Sequence, residues 1–194
     1  MKKMLFIIGF IFCLILLSSC DNDKKSAKLR RTTYVINSSI QNASFETGDV
    51  TGWDGDFESY IAVEDPTKIH NSDGRYFVKS SKMNVGNLIS TTFTLNDTGY
   101  ISFLIGAGNG ECMVEIYSNN QLIKSIKNPY FSNHKDEVLR RVLVNLKDYI
   151  GQEIYIKIVD NEKESEFGYI CIDSFDVNVN ETDLAIYKKI SIEV

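Results

Sequence analysis

From about Asn37 onward, apolar and polar residues alternate with a period of two, which places successive side chains on opposite faces of an extended strand. Ile154, Ile156 and Ile158 alternate with Tyr155, Lys157 and Val159, and Phe175, Val177 and Val179 alternate with Asp176, Asn178 and Asn180. Similar short runs predict strands over 75–79, 88–93, 100–105, 112–117, 122–126 and 138–146. Asn119 and Asn120 separate two of these runs. Because asparagine tolerates the left-handed backbone of a tight hairpin, the pair predicts a turn there. No long stripe of helical period competes with the strands. Many short strands punctuated by Gly, Asn and Asp, with two prolines in the chain, predict an all-β fold, a two-sheet antiparallel sandwich over 37–180. Residues 181–194 fit either an extra edge strand or a trailing segment.

The first nineteen residues break this pattern. Lys2 and Lys3 precede an uncharged apolar run over 4–17, and Leu17-Ser18-Ser19-Cys20 closes it with small residues. This predicts an export signal over 1–19. The run falls short of the roughly twenty residues that cross a hydrocarbon core as a helix, so a permanent span is the weaker reading. Leu-Ser-Ser-Cys resembles the lipobox of bacterial lipoproteins. That resemblance implies that the Cys20 thiol carries lipid, becomes the new N-terminus and anchors an extracytoplasmic domain to a membrane of the cell envelope. Residues 20–36 are then the lipidated cysteine and a polar tether. The basic residues Lys24, Lys25, Lys28, Arg30 and Arg31 serve either attraction to anionic headgroups or plain solubility.

Composition sharpens the picture in two places. Removing the signal takes away two lysines and no acid, leaving 19 Lys+Arg against 26 Asp+Glu, or −7 with neutral histidines. An acid excess of this kind argues against a nucleic-acid partner. Of four cysteines, Cys13 leaves with the signal and Cys20 carries lipid, so Cys112 and Cys171 are the thiols of the folded part. They can pair in an oxidising compartment, but their place in alternating apolar stretches favours two separate buried thiols.

Two stretches carry more than periodicity. Asn42-Ala43-Ser44-Phe45-Glu46-Thr47-Gly48-Asp49-Val50-Thr51-Gly52-Trp53 resembles the opening of galactose-binding-like β-sandwich modules, common among carbohydrate-binding domains of bacterial glycoside hydrolases. The second begins with Ile101-Ser102-Phe103-Leu104-Ile105-Gly106-Ala107-Gly108 and Cys112-Met113-Val114-Glu115-Ile116. It continues through Tyr149-Ile150-Gly151-Gln152 and Ile156-Lys157-Ile158-Val159-Asp160 to Gly168-Tyr169-Ile170-Cys171-Ile172-Asp173. In order and spacing it is similar to modules that accompany fructan-cutting and related enzymes. The resemblance covers about 42–177 and implies a jelly-roll of the galactose-binding-like kind. It also implies a structural calcium near the N-terminal motif, held by Glu46 and Asp173 together with backbone carbonyls, since calcium takes six to eight oxygens. The alternative for both acids is turn or capping work. Phe167-Gly168-Tyr169 stands where the similar modules have Trp-Gly-His, and Lys127-Asn128 where they often have Thr-Gly, so a sugar site built on those side chains is altered here.

Trp53, the single tryptophan, is either a platform for a sugar ring or part of the core, and its place in the fold motif favours the core. The irregular loops offer further ligand candidates: Asp54, Asp56, Tyr60, His70, Arg75, Tyr130 and His134. No catalytic residues are assigned. Gly106-Ala107-Gly108-Asn109-Gly110 follows a strand but precedes another, so no helix N-terminus is there to hold phosphate. Two histidines make neither a metal cluster nor a triad. Glu162, Glu164 and Glu166 read as solvated charge. Location and resemblance together predict a non-catalytic, surface-anchored carbohydrate-binding or adhesion module whose partner is a glycan or polysaccharide, held by loops at one end or by one face of the sandwich. The rival reading is a structural or protein-interaction lipoprotein without a sugar site. A glycoside hydrolase with two acids across a cleft ranks third.

Overall fold

The computed structural model describes residues 39–55, 60–65, 70–81, 84–132, 137–164 and 168–194. The strands are β1 (Asp54–Gly55), β2 (Tyr60–Glu64), β3 (Tyr76–Ser80), β4 (Gly86–Ile89), β5 (Phe93–Thr94) and β6 (Tyr100–Ala107). They continue as β7 (Cys112–Ser118), β8 (Gln121–Ile126), β9 (Arg140–Asn145), β10 (Glu153–Asp160) and β11 (Ile170–Asp176). A helix α1 (Glu181–Ile190) and a short β12 (Ile192–Glu193) follow. They form two six-stranded sheets, as the alternating pattern predicts. The front sheet runs β1-β4-β10-β7-β8, with β5 also on β10; the back sheet runs β12-β9-β6-β11-β3-β2. All pairings are antiparallel except β12 with β9.

Between the sheets lies the core that the inward positions predict. Val114, Ile116, Ile154, Ile156 and Ile158 of the front sheet meet Ile101, Phe103, Ile105, Val142 and Ile172 of the back sheet, all fully buried. The segment 40–53 plugs this core with Ile40, Phe45, Val50 and Trp53. Asn119 and Asn120 both adopt left-handed backbone, with φ of 49° and 63°, between paired Ser118 and Gln121, which is the predicted hairpin turn.

Three elements differ from the sequence pattern. The predicted run 88–93 is divided into β4 and β5, because the Ser90 hydroxyl accepts the Ile156 N–H and so replaces a ladder bond. The run of Phe175, Val177 and Val179 falls across the end of β11 rather than forming a strand of its own. Ser174 sits at φ 57° with a register shift between Asp173 and Asp176, and this bulge carries Val177 and Val179 into the core beyond the strand. Residues 181–194 contain a helix as well as an edge strand. The Asn180 side chain caps α1 by accepting from the N–H groups of Thr182 and Asp183.

The helix fixes which faces of the sandwich remain open. Its Leu184 and Tyr187 are buried against the outer face of the back sheet. Tyr187 donates to Asp176 Oδ2 at 3.0 Å and lies over the Arg141 guanidinium at 4.8 Å. Farther along that outer face, Phe77, Leu104, Leu139, Tyr169 and Cys171 form a second buried cluster. Cys112 belongs to the main core and Cys171 to this outer layer, so the two thiols are separate and both free. Burial pushes the Cys171 thiol up to about 12, which makes it an unreactive hydrophobe. Among the described residues no helix is long and apolar enough to cross a membrane.

Candidate functional site

On the outer face of the front sheet, Glu115, Tyr117, Tyr155 and Lys157 are half-buried, where the inner residues that alternate with them are fully buried. Strand alternation sorts its side chains, and strand register lines them up in rows across the sheet. One row brings Asp54 opposite Ile89, Ile89 opposite Lys157, Lys157 opposite Glu115, and Glu115 opposite Ser125. The next row brings Tyr155 opposite Tyr117 and Tyr117 opposite Leu122. The Tyr117 and Tyr155 rings stack with centroids 4.9 Å apart and planes 2° from parallel. Tyr117 donates to Glu115 Oε2 at 2.7 Å, which ties the aromatic row to the charged one. Burial and this carboxylate push the Tyr117 hydroxyl up to about 12, so it remains a proton donor at neutral pH.

The face combines an apolar aromatic pair with groups that donate and accept hydrogen bonds. Because the two rings stack on each other, the apolar surface the pair offers is its ring edges and the one outer face of each ring. Two carboxylates, an ammonium and a hydroxyl beside it supply charge-assisted and neutral hydrogen bonds for sugar hydroxyls. Asp54 reaches the row because β1 approaches β4 closely at Gly55. A Cβ there would stand 2.0 Å from the Asn87 carbonyl oxygen, and φ of 140° is a conformation reserved for glycine.

Of the described ligand candidates read from sequence, Asp54 alone falls on this face. Trp53 is 2 % exposed, packed between Phe45 and Phe175 at ring distances of 5.3 Å, with its Nε1 donating to the Asn42 carbonyl. The core reading is the right one for it, and no ring face is free for a sugar. Tyr60 is likewise buried, its hydroxyl donating to the carbonyls of Gly86 and Ile158. Tyr130 donates to the Arg141 carbonyl and accepts from the Ile192 N–H, so it fastens β12 to the back sheet. These are corrections to their candidacy: buried hydroxyls need partners, and the fold supplies them. His70 lies against Phe77 with Nδ1 3.5 Å from Glu137 Oε2, while Glu137 also accepts from Lys79 Nζ at 2.7 Å and from the Tyr169 hydroxyl. That set staples the segment before β9 to the back sheet. Arg75 is exposed, pairs with Glu64 and lies over Tyr76. Cys20, Asp56, His134, Glu166 and Phe167 lie outside the described residues.

Both positions that depart from the resembled pattern do structural work. Tyr169 is buried against Glu137, and Asn128 donates from Nδ2 to the Ala107 carbonyl at 2.7 Å while accepting from Tyr130 N–H. Tyr117, Tyr155, Lys157 and Glu115 are the residues that sequence reasoning did not single out. Their signal was present as polar and aromatic side chains on the outward positions of two buried strands. Without register, nothing showed that they meet.

The calcium candidates occupy a different place. Glu46 accepts the N–H groups of Arg75 and Tyr76 at 2.8 and 3.0 Å through Oε1, in a cradle that a Cβ on Gly74 would fill at 2.2 Å. Asp173 Oδ2 accepts from Asp73 N–H at 2.8 Å, and Asp73 in turn accepts from the Ser174 hydroxyl. Asp173 Oδ1 is buried with no hydrogen-bond partner. Burial pushes Asp173 well above the usual carboxylate range, reinforced by the charges of Asp73 and Glu46. Among the described residues no three His, Cys, Asp or Glu side chains gather as a metal cluster. What the two acids share is oxygen donors close to the same loop, Glu46 at Arg75 and Tyr76 and Asp173 at Asp73, with one Asp173 oxygen left without a hydrogen-bond partner.

No family model matches the chain, and no curated relative matches it. Solved structures do. TmCBM61 in complex with β-1,4-galactotriose is similar at 16 % identity and a TM-score of 0.47, over 70 % of this chain and 94 % of that one. The K1 cleaved adhesin domain of Lys-gingipain from Porphyromonas gingivalis W83 is similar at 17 % identity and a TM-score of 0.47, over 68 % and 93 %. A family 35 carbohydrate binding module from an environmental isolate is similar at 17 % identity and a TM-score of 0.38, over 64 % and 84 %.

Proposed function

We propose that this chain is a non-catalytic carbohydrate-binding protein that holds a glycan on the open face of its front sheet. The observation that carries the reading is the stacked Tyr117–Tyr155 pair, half-buried on the outer face of the front sheet, one row from Asp54, Lys157 and Glu115. Aromatic residues at the centre of a binding surface carry most of its energy. Tyr155→Ala is therefore expected to weaken binding to an immobilised glycan roughly thirtyfold, the equivalent of about 2 kcal/mol. Affinity electrophoresis against fructans, galactans and host glycans is the measurement, with thermal melting as the control for folding. Retention of full affinity in both Tyr155→Ala and Tyr117→Ala would move the site elsewhere.

The same proposal places the domain outside the cytoplasm, anchored to an envelope membrane by lipid on Cys20. Tethering then raises the effective concentration of bound polysaccharide near neighbouring enzymes or importers. Calcium held by Glu46 and Asp173 would neutralise the buried carboxylate and tie the segment before β1 to β11. A cation at one hundred times its dissociation constant stabilises the native state by about 2.7 kcal/mol. Calcium is accordingly expected to raise the melting temperature of the wild-type domain by roughly 5–10 °C and to leave Asp173→Asn unchanged. An equal melting temperature with calcium and with chelator would remove the ion from the proposal.

A further inference from the structure

The geometry points to recognition of internal segments of a linear, uncharged polysaccharide laid across the strands, rather than of a chain end; this rests on the glycan reading of the front face. Three observations support it. The aromatic row (Tyr155, Tyr117, Leu122) and the polar row (Asp54, Lys157, Glu115, Ser125) both run perpendicular to the strands. They are two residues apart on β10 and β7, or about 7 Å, and three apart on β8, where the register shifts; the polar row spans five strands, or roughly 19 Å. A strip of that shape matches several consecutive sugar units in an extended chain.

The strip runs to the two edges of the front sheet. It terminates on the edge strands β1 and β8, where Asp54 is exposed and Leu122 is 51 % exposed. Selecting a terminal sugar takes a concave site that encloses most of the ligand. Because the described residues at both ends are themselves exposed, a chain can pass over them without ending on the strip.

Charge sets the class of polymer. Lys157 is flanked in its row by Glu115 on one side and, past Ile89, by Asp54 on the other, and Glu153 lies exposed at the start of the same strand. Acidic acceptors therefore outnumber the ammonium on this face, in a chain whose formal net charge is −5. Carboxylates accept from sugar hydroxyls but repel uronate or sulfate groups, so the face favours hydroxyl-rich, neutral chains.

Titration calorimetry with galactan, fructan and glucan series, each from monosaccharide to polymer, together with polygalacturonate, tests the inference. Affinity is expected to rise with chain length and level off, to be indifferent to bulky groups on either terminus, and to be absent for polygalacturonate. Leu122→Ser and Asp54→Ala, at the two ends of the strip, are expected to weaken long oligosaccharides severalfold and the shortest bound ones little. Tyr155-dependent binding that is already complete with a monosaccharide, or that a blocked terminus abolishes, would overturn the chain-internal mode while leaving the glycan reading standing. Equal binding of polygalacturonate would overturn the charge argument. Binding to no member of any series would remove both.

Discussion

Trp53→Ala is expected to destabilise the sandwich by about 3–5 kcal/mol while leaving the glycan affinity of the folded fraction unchanged. The indole fills the space between Phe45 and Phe175, and Phe175 in turn packs on Phe103 at 5.2 Å, so its removal opens a cavity in a chain of aromatic contacts. It also leaves the Asn42 carbonyl without the Nε1 donor. Denaturant unfolding reads the first effect and calorimetry with the bound glycan reads the second. A loss of affinity at unchanged stability would return the indole to ligand contact and displace the front face from that role. The result thus separates two meanings of a tryptophan in the opening motif.

Arg141→Leu is the other substitution with a large expected effect, of about 3 kcal/mol, because it leaves two buried oxygens without their charged donor. Arg141 is 5 % exposed on the outer face of the back sheet, donating to Ser102 Oγ and to the Ser174 carbonyl at 3.2 and 3.3 Å. Its charge opposes the burial that raises Asp176, and it lowers Asp173 as well. The Tyr187 ring stacked over it links the network to α1. The melting temperature should fall by roughly 10 °C, and hydrogen exchange in α1 should rise, since Tyr187 and Leu184 are the helix's buried anchors. Arg141→Lys is expected to recover only part of the loss, because an ammonium cannot reproduce the planar fork. A melting temperature within about 2 °C of wild type for Arg141→Leu would show that the layer under α1 does not need the charge.

Those two substitutions and the calcium proposal lie at positions whose legibility in the chain differed. Phe45, Trp53 and the isoleucines of β10 were readable as core from alternation and motif alone, since a strand with one buried face writes its orientation into successive residues. The Asn119-Asn120 turn was readable for the same local reason. Arg141 and Asp176 were not, and Asp173 was singled out only through the resemblance. As polar residues in strands they resemble outward positions, and they are outward, but α1 and the neighbouring loops cover that side and turn a solvent face into a buried polar layer. The helix itself was masked because it is short and only Leu184 and Tyr187 face the sheet, too few residues to write a helical stripe.

The candidate site divides along the same line. Local sequence was enough for the sandwich, its core positions and its hairpin, because backbone conformation and inside-outside preference are decided by each residue and its immediate neighbours. Tertiary structure alone decided which outward face stays open, and that Tyr117 and Tyr155, thirty-eight positions apart in numbering, stack across β7 and β10. It also sent Tyr60 and Tyr130, equally plausible from sequence, to internal hydrogen bonds. Strand register is a long-range pairing chosen by the whole sheet, so no window along the chain contains it.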